Sequence, residues 1–117
     1  MPIFEILHNE PDARTYRAGE IIFSEGDAGH AMFAVLDGEV EIRKHGHLLE
    51  TVEHGGVFGE MALIDDKPRS ADAVAKTDCR VVAISDRRFM VLVQQTPFFA
   101  VKMMQVLSDR IRRNTAS

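Results

Sequence analysis

Several things are scarce in this chain. Its 117 residues hold one cysteine, one tyrosine, four prolines and no tryptophan. The lone Cys79 excludes an intrachain disulfide and suits a reducing compartment. No apolar run reaches the roughly 18 residues that a membrane-crossing helix needs. The start, Met1-Pro2-Ile3-Phe4-Glu5, lacks the basic residues and apolar core of a secretory signal. These absences make the cytoplasm the expected setting. Positive charge is also short, with a net charge of −4. A nucleic-acid surface needs a basic face, so no nucleic-acid partner is expected. The cluster Arg110, Arg112 and Arg113 is the exception. It falls at the expected end of a helix, where cations are favoured by the dipole.

Catalytic signatures are missing too. There is no Gly-x-Ser-x-Gly and no Gly-Lys-Ser/Thr phosphate loop, and Gly55-Gly56-Val-Phe-Gly59 is not a dinucleotide fingerprint. Cys79 has no histidine near it in sequence and reads as a small buried strand residue. No catalytic residue, cofactor or metal is therefore expected, and the chain does not read as an enzyme.

What is present is one domain spanning 1–117. Hydrophobic content of 45% and charge of 27% are globular values, and the length supports a single core. All eight glycines lie between Gly19 and Gly59. This asymmetry separates a turn-rich first half from a helical end. Glu20 to Ser24 and Ala31 to Leu36 are strand candidates, the second closed by the Asp37-Gly38 turn. Glu39 to Lys44 alternates, with Val40 and Ile42 on one face. His45-Gly46 turns the chain, and His47 to Glu53 returns. Arg80 to Ile84 is a compact apolar strand. Short strands at this spacing predict a sandwich or barrel.

From Ser85 the pattern becomes helical. Ser85 can cap a helix from Asp86 to about Gln94. Thr96-Pro97 is the start signal of a second helix, running to about Arg113. That helix carries two apolar stripes. Phe98, Val101, Met104, Leu107 and Ile111 form one; Phe99, Met103 and Val106 form the other. One stripe suffices to cover a sheet. Two imply either a partner helix or deep burial.

The densest chemistry lies between Phe58 and Ala71. Gly59 lets the backbone bend or approach a ligand closely. Glu60 to Ile64 can form one helical turn whose N–H groups favour an anion. Pro68 ends it and leaves Arg69 just beyond a loop, where its planar fork can grip a phosphate. Ser70 adds a hydroxyl. The plainer alternative is that Glu60 and Arg69 simply pair with each other as an ion pair.

Residues 16–113 resemble a cyclic nucleotide-binding domain. This is the family of catabolite-activator-type regulators, regulatory subunits of cyclic-nucleotide-dependent kinases, and gated channels. Ala18-Gly19-Glu20-Ile-Ile-Phe23, Glu25-Gly26-Asp27, Met32-Phe33-Ala-Val35 and Asp37-Gly38-Glu39-Val40 are similar to its strand framework. Phe58-Gly59-Glu60-Met61-Ala62-Leu63 and Pro68-Arg69-Ser70-Ala71 are similar to its phosphate-binding cassette. The resemblance implies an α+β, mainly β fold. It would be a double-stranded β-helix or jelly-roll β-roll over about 16–84, with a short phosphate-binding helix and C-terminal helices over about 85–113.

The resemblance also implies roles. Arg69 would bind the exocyclic phosphate oxygens and Glu60 the ribose 2′-hydroxyl. Backbone N–H groups around Gly59, Met61 and Ala62 would complete the anion site beside Phe58. Ser70 would face the phosphate or base; a threonine there tends to favour cGMP, whereas serine is compatible with cAMP, so cAMP is the expected ligand and cGMP the alternative. Asn114 and Thr115 are the candidates for a lid over the base. The chain ends at Ser117 without the helix-turn-helix of the bacterial regulators. The expectation is a stand-alone sensor that signals through residues 97–113 to a downstream protein or a second copy. Asp72, where a small or β-forming residue is expected, would point outward.

Two other readings compete. His45-Gly46-His47-Leu-Leu-Glu50 looks like part of a cupin metal motif, and imidazoles with a carboxylate form a sound metal set. Its spacing is short, and no later Pro-x-Gly-x-x-His follows. His8, His30 and His54 add no ligand spacing. A ligand-free interaction module on the same fold is the third reading. Retention of both Glu60 and Arg69 argues against it.

Overall fold

The structure is a computed structural model that describes residues 13–115, with side chains through residue 113. Two four-stranded antiparallel sheets form a jelly roll. One sheet runs β1-β8-β3-β6 and the other β2-β7-β4-β5. The strands are β1 (Ala13–Tyr16), β2 (Ile21–Phe23), β3 (Ala31–Asp37), β4 (Val40–Lys44), β5 (His47–Val52), β6 (Val57–Phe58), β7 (Asp72–Ala75) and β8 (Cys79–Ser85). A single 3-10 turn, Glu60–Leu63, leaves β6. Helices α1 (Asp86–Gln95) and α2 (Phe98–Thr115) close the chain.

The family-like jelly roll is present, with two differences in its elements. The roll begins at least at Ala13, because β1 pairs with β8 from Ala13↔Val82 to Tyr16↔Cys79. Strand β6 is not among the strands expected from sequence, and only Phe33↔Phe58 and Ala34↔Val57 are in register. Two residues are too few to show a period. Asp72 faces away from the core, alternating with the buried Ala73 and Ala75 along β7. It is half-buried, and its carboxylate accepts from the Glu25 N–H at 2.7 Å, which pins the β2–β3 connection.

Strand β3 explains its own unbroken apolar run. Met32, Ala34 and Leu36 join Val82, Ile84, Leu92, Phe99 and Met103 in the layer beneath the helices. Phe33 and Val35 face the other way, toward Val40, Val52, Phe58, Ala73 and Val81 between the sheets. A strand buried on both faces cannot alternate polar with apolar.

The first helix begins where its cap predicts, and the second begins at Phe98, one residue past Pro97. The Ser85 hydroxyl accepts from the Arg88 N–H at 3.1 Å. Their apolar faces have separate fates. Phe99 and Met103 are fully buried, whereas Phe98, Val101, Met104 and Ile111 on α2 are 39–62% exposed. Deep burial of the whole helix is therefore ruled out. Cys79 is buried at the start of β8, and burial pushes its thiol above the usual range.

Candidate functional site

A cavity of about 510 Å³ opens between the second sheet, the 3-10 turn and α2. Phe58, Gly59, Glu60, Met61, Ala62, Arg69 and Ser70 all line it. The structure thus gathers these seven residues into one concavity. Their burial differs widely. Phe58 is 1% exposed and packs into the core, with its ring stacked on Phe33 at 5.2 Å. Glu60 is buried, while Met61 and Ser70 are exposed. The Ala62 N–H donates to the Gly59 carbonyl at 3.3 Å within the turn.

Gly59 has a structural reason to be glycine. It precedes the turn at φ 72°, a left-handed conformation. A β-carbon there would also stand 2.9 Å from Arg69 Nη1. The guanidinium and the bend of the backbone therefore occupy adjoining space.

Arg69 is fixed at both main chain and side chain. Its N–H donates to the Asp27 carbonyl, and its carbonyl accepts from the Gly26 N–H, each at 2.8 Å. Nη1 donates to the Gly59 carbonyl at 3.1 Å and Nη2 to the Ala31 carbonyl at 2.8 Å. Nε is buried and has no hydrogen-bond partner among the described residues. Burial pulls the Arg69 pKa below its ordinary value, and the nearby Asp27 charge opposes that pull. The group remains a cation held mostly by neutral acceptors, a suitable receptor for a phosphate oxygen.

Glu60 does not pair with Arg69. Its partner is Arg110, whose Nη1 donates to Glu60 Oε1. Arg110 Nη2 donates to Glu50 Oε2 at 2.9 Å and to the Val57 carbonyl at 2.6 Å. Burial alone would lower the Arg110 pKa, but the charges and hydrogen bonds of Glu60 and Glu50 raise it instead. Arg110 is therefore more than a cation at a helix end. It ties α2 to the cavity.

Sequence reasoning left Arg110 in a basic cluster and missed this role. The available signal was its spacing. Arg110 continues the stripe Phe99, Met103, Val106 at intervals of four, three and four, so it falls on the buried face of α2. A cation at such a position requires a carboxylate partner.

The histidine motif has different neighbours. His45 Nε2 lies 3.6 Å from Glu25, and His47 is exposed. Glu50 is taken by Arg110. Among the described residues, no three His, Cys, Asp or Glu side chains gather into a group that could hold a metal. His8 lies outside the described residues, and so do the side chains of the lid candidates Asn114 and Thr115. No helix among those described is long and apolar enough to cross a membrane.

The sequence profile of the cyclic nucleotide-binding domain matches residues 13–96. The chain is similar to the cAMP-dependent protein kinase regulatory subunit of Aspergillus niger. They are 44% identical over 75 residues, 62% of this chain and 18% of that one. It is also similar to the cyclic AMP receptor protein of Thermus thermophilus, 35% identical over 104 residues, 85% of this chain and 48% of that one. The chain thus spans less than half the length of either relative. Its fold superposes on the crystal structure of Thermus thermophilus catabolite activator protein with a TM-score of 0.79. That match has 31% identity and covers 97% of this chain and 60% of the other. The chain belongs to the cyclic nucleotide-binding domain family.

Proposed function

We propose that this domain is a non-catalytic sensor for a 3′,5′-cyclic nucleotide, with cAMP as the preferred ligand. The observation that carries the proposal is the single cavity lined by a cation with neutral acceptors, Arg69, and a buried carboxylate, Glu60. A cyclic nucleotide offers complementary groups at a fixed separation. Its exocyclic phosphate oxygens would take the Arg69 guanidinium and its ribose 2′-hydroxyl would donate to Glu60. Ser70 lies beside Arg69 with an exposed side chain, available to the phosphate or base. The cAMP-named relatives support the choice of base.

The signal would leave through α2. Glu60 anchors that helix through Arg110, so a ribose hydroxyl bound to Glu60 acts on a carboxylate that already holds the output element. A ligand shifts a conformational equilibrium only through different affinities for the two states. The shared carboxylate supplies such a difference. The exposed stripe of Phe98, Val101, Met104 and Ile111 would then contact a downstream protein or a second copy. A cytoplasmic setting, which suits the single buried thiol, belongs to the same proposal.

Titration calorimetry with cAMP, cGMP and AMP tests the reading. Binding of cAMP, weaker binding of cGMP and none of AMP is expected. Silence with both cyclic nucleotides would overturn it. Sedimentation equilibrium with and without cAMP then separates a second copy from a different partner at α2.

A further inference from the structure

We propose that Phe23 is a positioning residue for the phosphate end of the cavity. The proposal rests on the reading of Arg69 as the phosphate ligand. Strand β2 ends at Phe23, and the Arg69 Cζ lies over its ring, 4.3 Å from the centroid. The ring is itself supported. Phe33 and Phe58 stand 5.9 and 6.0 Å from it, centroid to centroid, and stack on each other. Gly29 confines the same guanidinium from the β2–β3 loop. A β-carbon there would stand 2.5 Å from Nε and 2.6 Å from Nη2, too close for any real contact.

These contacts set both the place and the charge of Arg69. Its two Nη groups are held by the carbonyls of Gly59 and Ala31, and its plane by the ring and the bare Cα of Gly29. The partners are neutral, which distinguishes this cation from Arg110 with its two carboxylates. An aromatic face offers a cation partial compensation without supplying an anion. Such a setting keeps Arg69 charged and aimed while leaving its charge to be met by the ligand. Preorganisation of this kind favours binding by removing the cost of ordering a long side chain.

The test uses Phe23→Leu, Phe23→Tyr and Gly29→Ala in the full chain. Leucine keeps the apolar bulk and removes the ring; tyrosine keeps the ring. Gly29 does not have a positive φ, so alanine acts there through its methyl group alone. Phe23→Leu should weaken cAMP binding about tenfold, the scale of a desolvated cation–ring contact. Phe23→Tyr should stay within about threefold, since its ring face is retained. Gly29→Ala should weaken binding in the same direction as Phe23→Leu.

The Arg69 Nε–H resonance in the unliganded chain gives a readout that needs no ligand. It should be shifted by the Phe23 ring current and exchange slowly with water. Both signatures should be lost in Phe23→Leu and kept in Phe23→Tyr. Unchanged affinity in Phe23→Leu, failure of tyrosine to restore it, or an Nε–H signal indifferent to the ring would overturn the positioning role. A wild-type chain that binds no cyclic nucleotide would instead overturn the functional reading, and the ligand-positioning role would fall with it. The free-chain resonance would still decide whether the ring holds the guanidinium.

Discussion

The two ends of the cavity each hold a partly buried arginine, and the two are held in opposite ways. Arg69, at the proposed phosphate end, touches two backbone carbonyls and an aromatic ring. Its restraints come from the β-roll. Arg110, at the proposed ribose end, is shared by two carboxylates and reaches them from the C-terminal helix. The first arrangement leaves charge to be answered by a ligand. The second already has its charge answered and links two parts of the molecule. Affinity and signal would therefore reside at different ends of one pocket, with Glu60 the residue that belongs to both.

Removing Arg110 should have the largest effect on stability. Arg110→Met strands the buried Glu60 carboxylate and should cost about 3 kcal/mol in urea-induced unfolding, at the low end for breaking a buried pair. A cost near zero would make the bridge a surface ornament and erase the contrast. Arg69→Leu should act on binding instead, weakening cAMP by about 2 kcal/mol or more, as for loss of one partner of a desolvated charge pair. Unchanged affinity would move the phosphate elsewhere.

The ribose contact is smaller. Calorimetry should show 2′-deoxy-cAMP binding about tenfold more weakly than cAMP, the scale of one hydrogen bond to a charged acceptor. Glu60→Gln should narrow that gap. An equal preference in both proteins would remove Glu60 from the ribose. Smallest is Glu50→Gln. It leaves Arg110 paired with Glu60 and should cost about 1 kcal/mol or less, as for a partly exposed ion pair. A loss as large as that of Arg110→Met would make Glu50, not Glu60, the chief anchor of the helix.

The sequence made the Arg69 end more legible than the Arg110 end, for a physical reason. Gly59, Glu60, Pro68, Arg69 and Ser70 act within one short segment, where turn chemistry and spacing leave a local trace. The helix cap at Ser85 is legible on the same ground. So are the two stripes on α2, although periodicity alone leaves open which of them is covered. The Glu60–Arg110 bridge spans 50 residues. A contact of that separation leaves no local pattern beyond the stripe position of Arg110. Phe23 and Gly29 likewise meet Arg69 only after β2 and β7 pair at Phe23↔Ala73. Asp72 departs from strand preference because its carboxylate holds the Glu25 N–H, a partner 47 residues away.

Hydrogen exchange along α2 tests the division of labour most directly. It is measured with and without saturating cAMP, in the wild-type chain and in Arg110→Met. In the wild type, cAMP should change exchange both around the Glu60–Leu63 turn and in the last turns of α2. In Arg110→Met the turn should still respond while α2 does not. An α2 response of equal size in both proteins would contradict the account, because the signal would then reach the helix without the Glu60–Arg110 bridge.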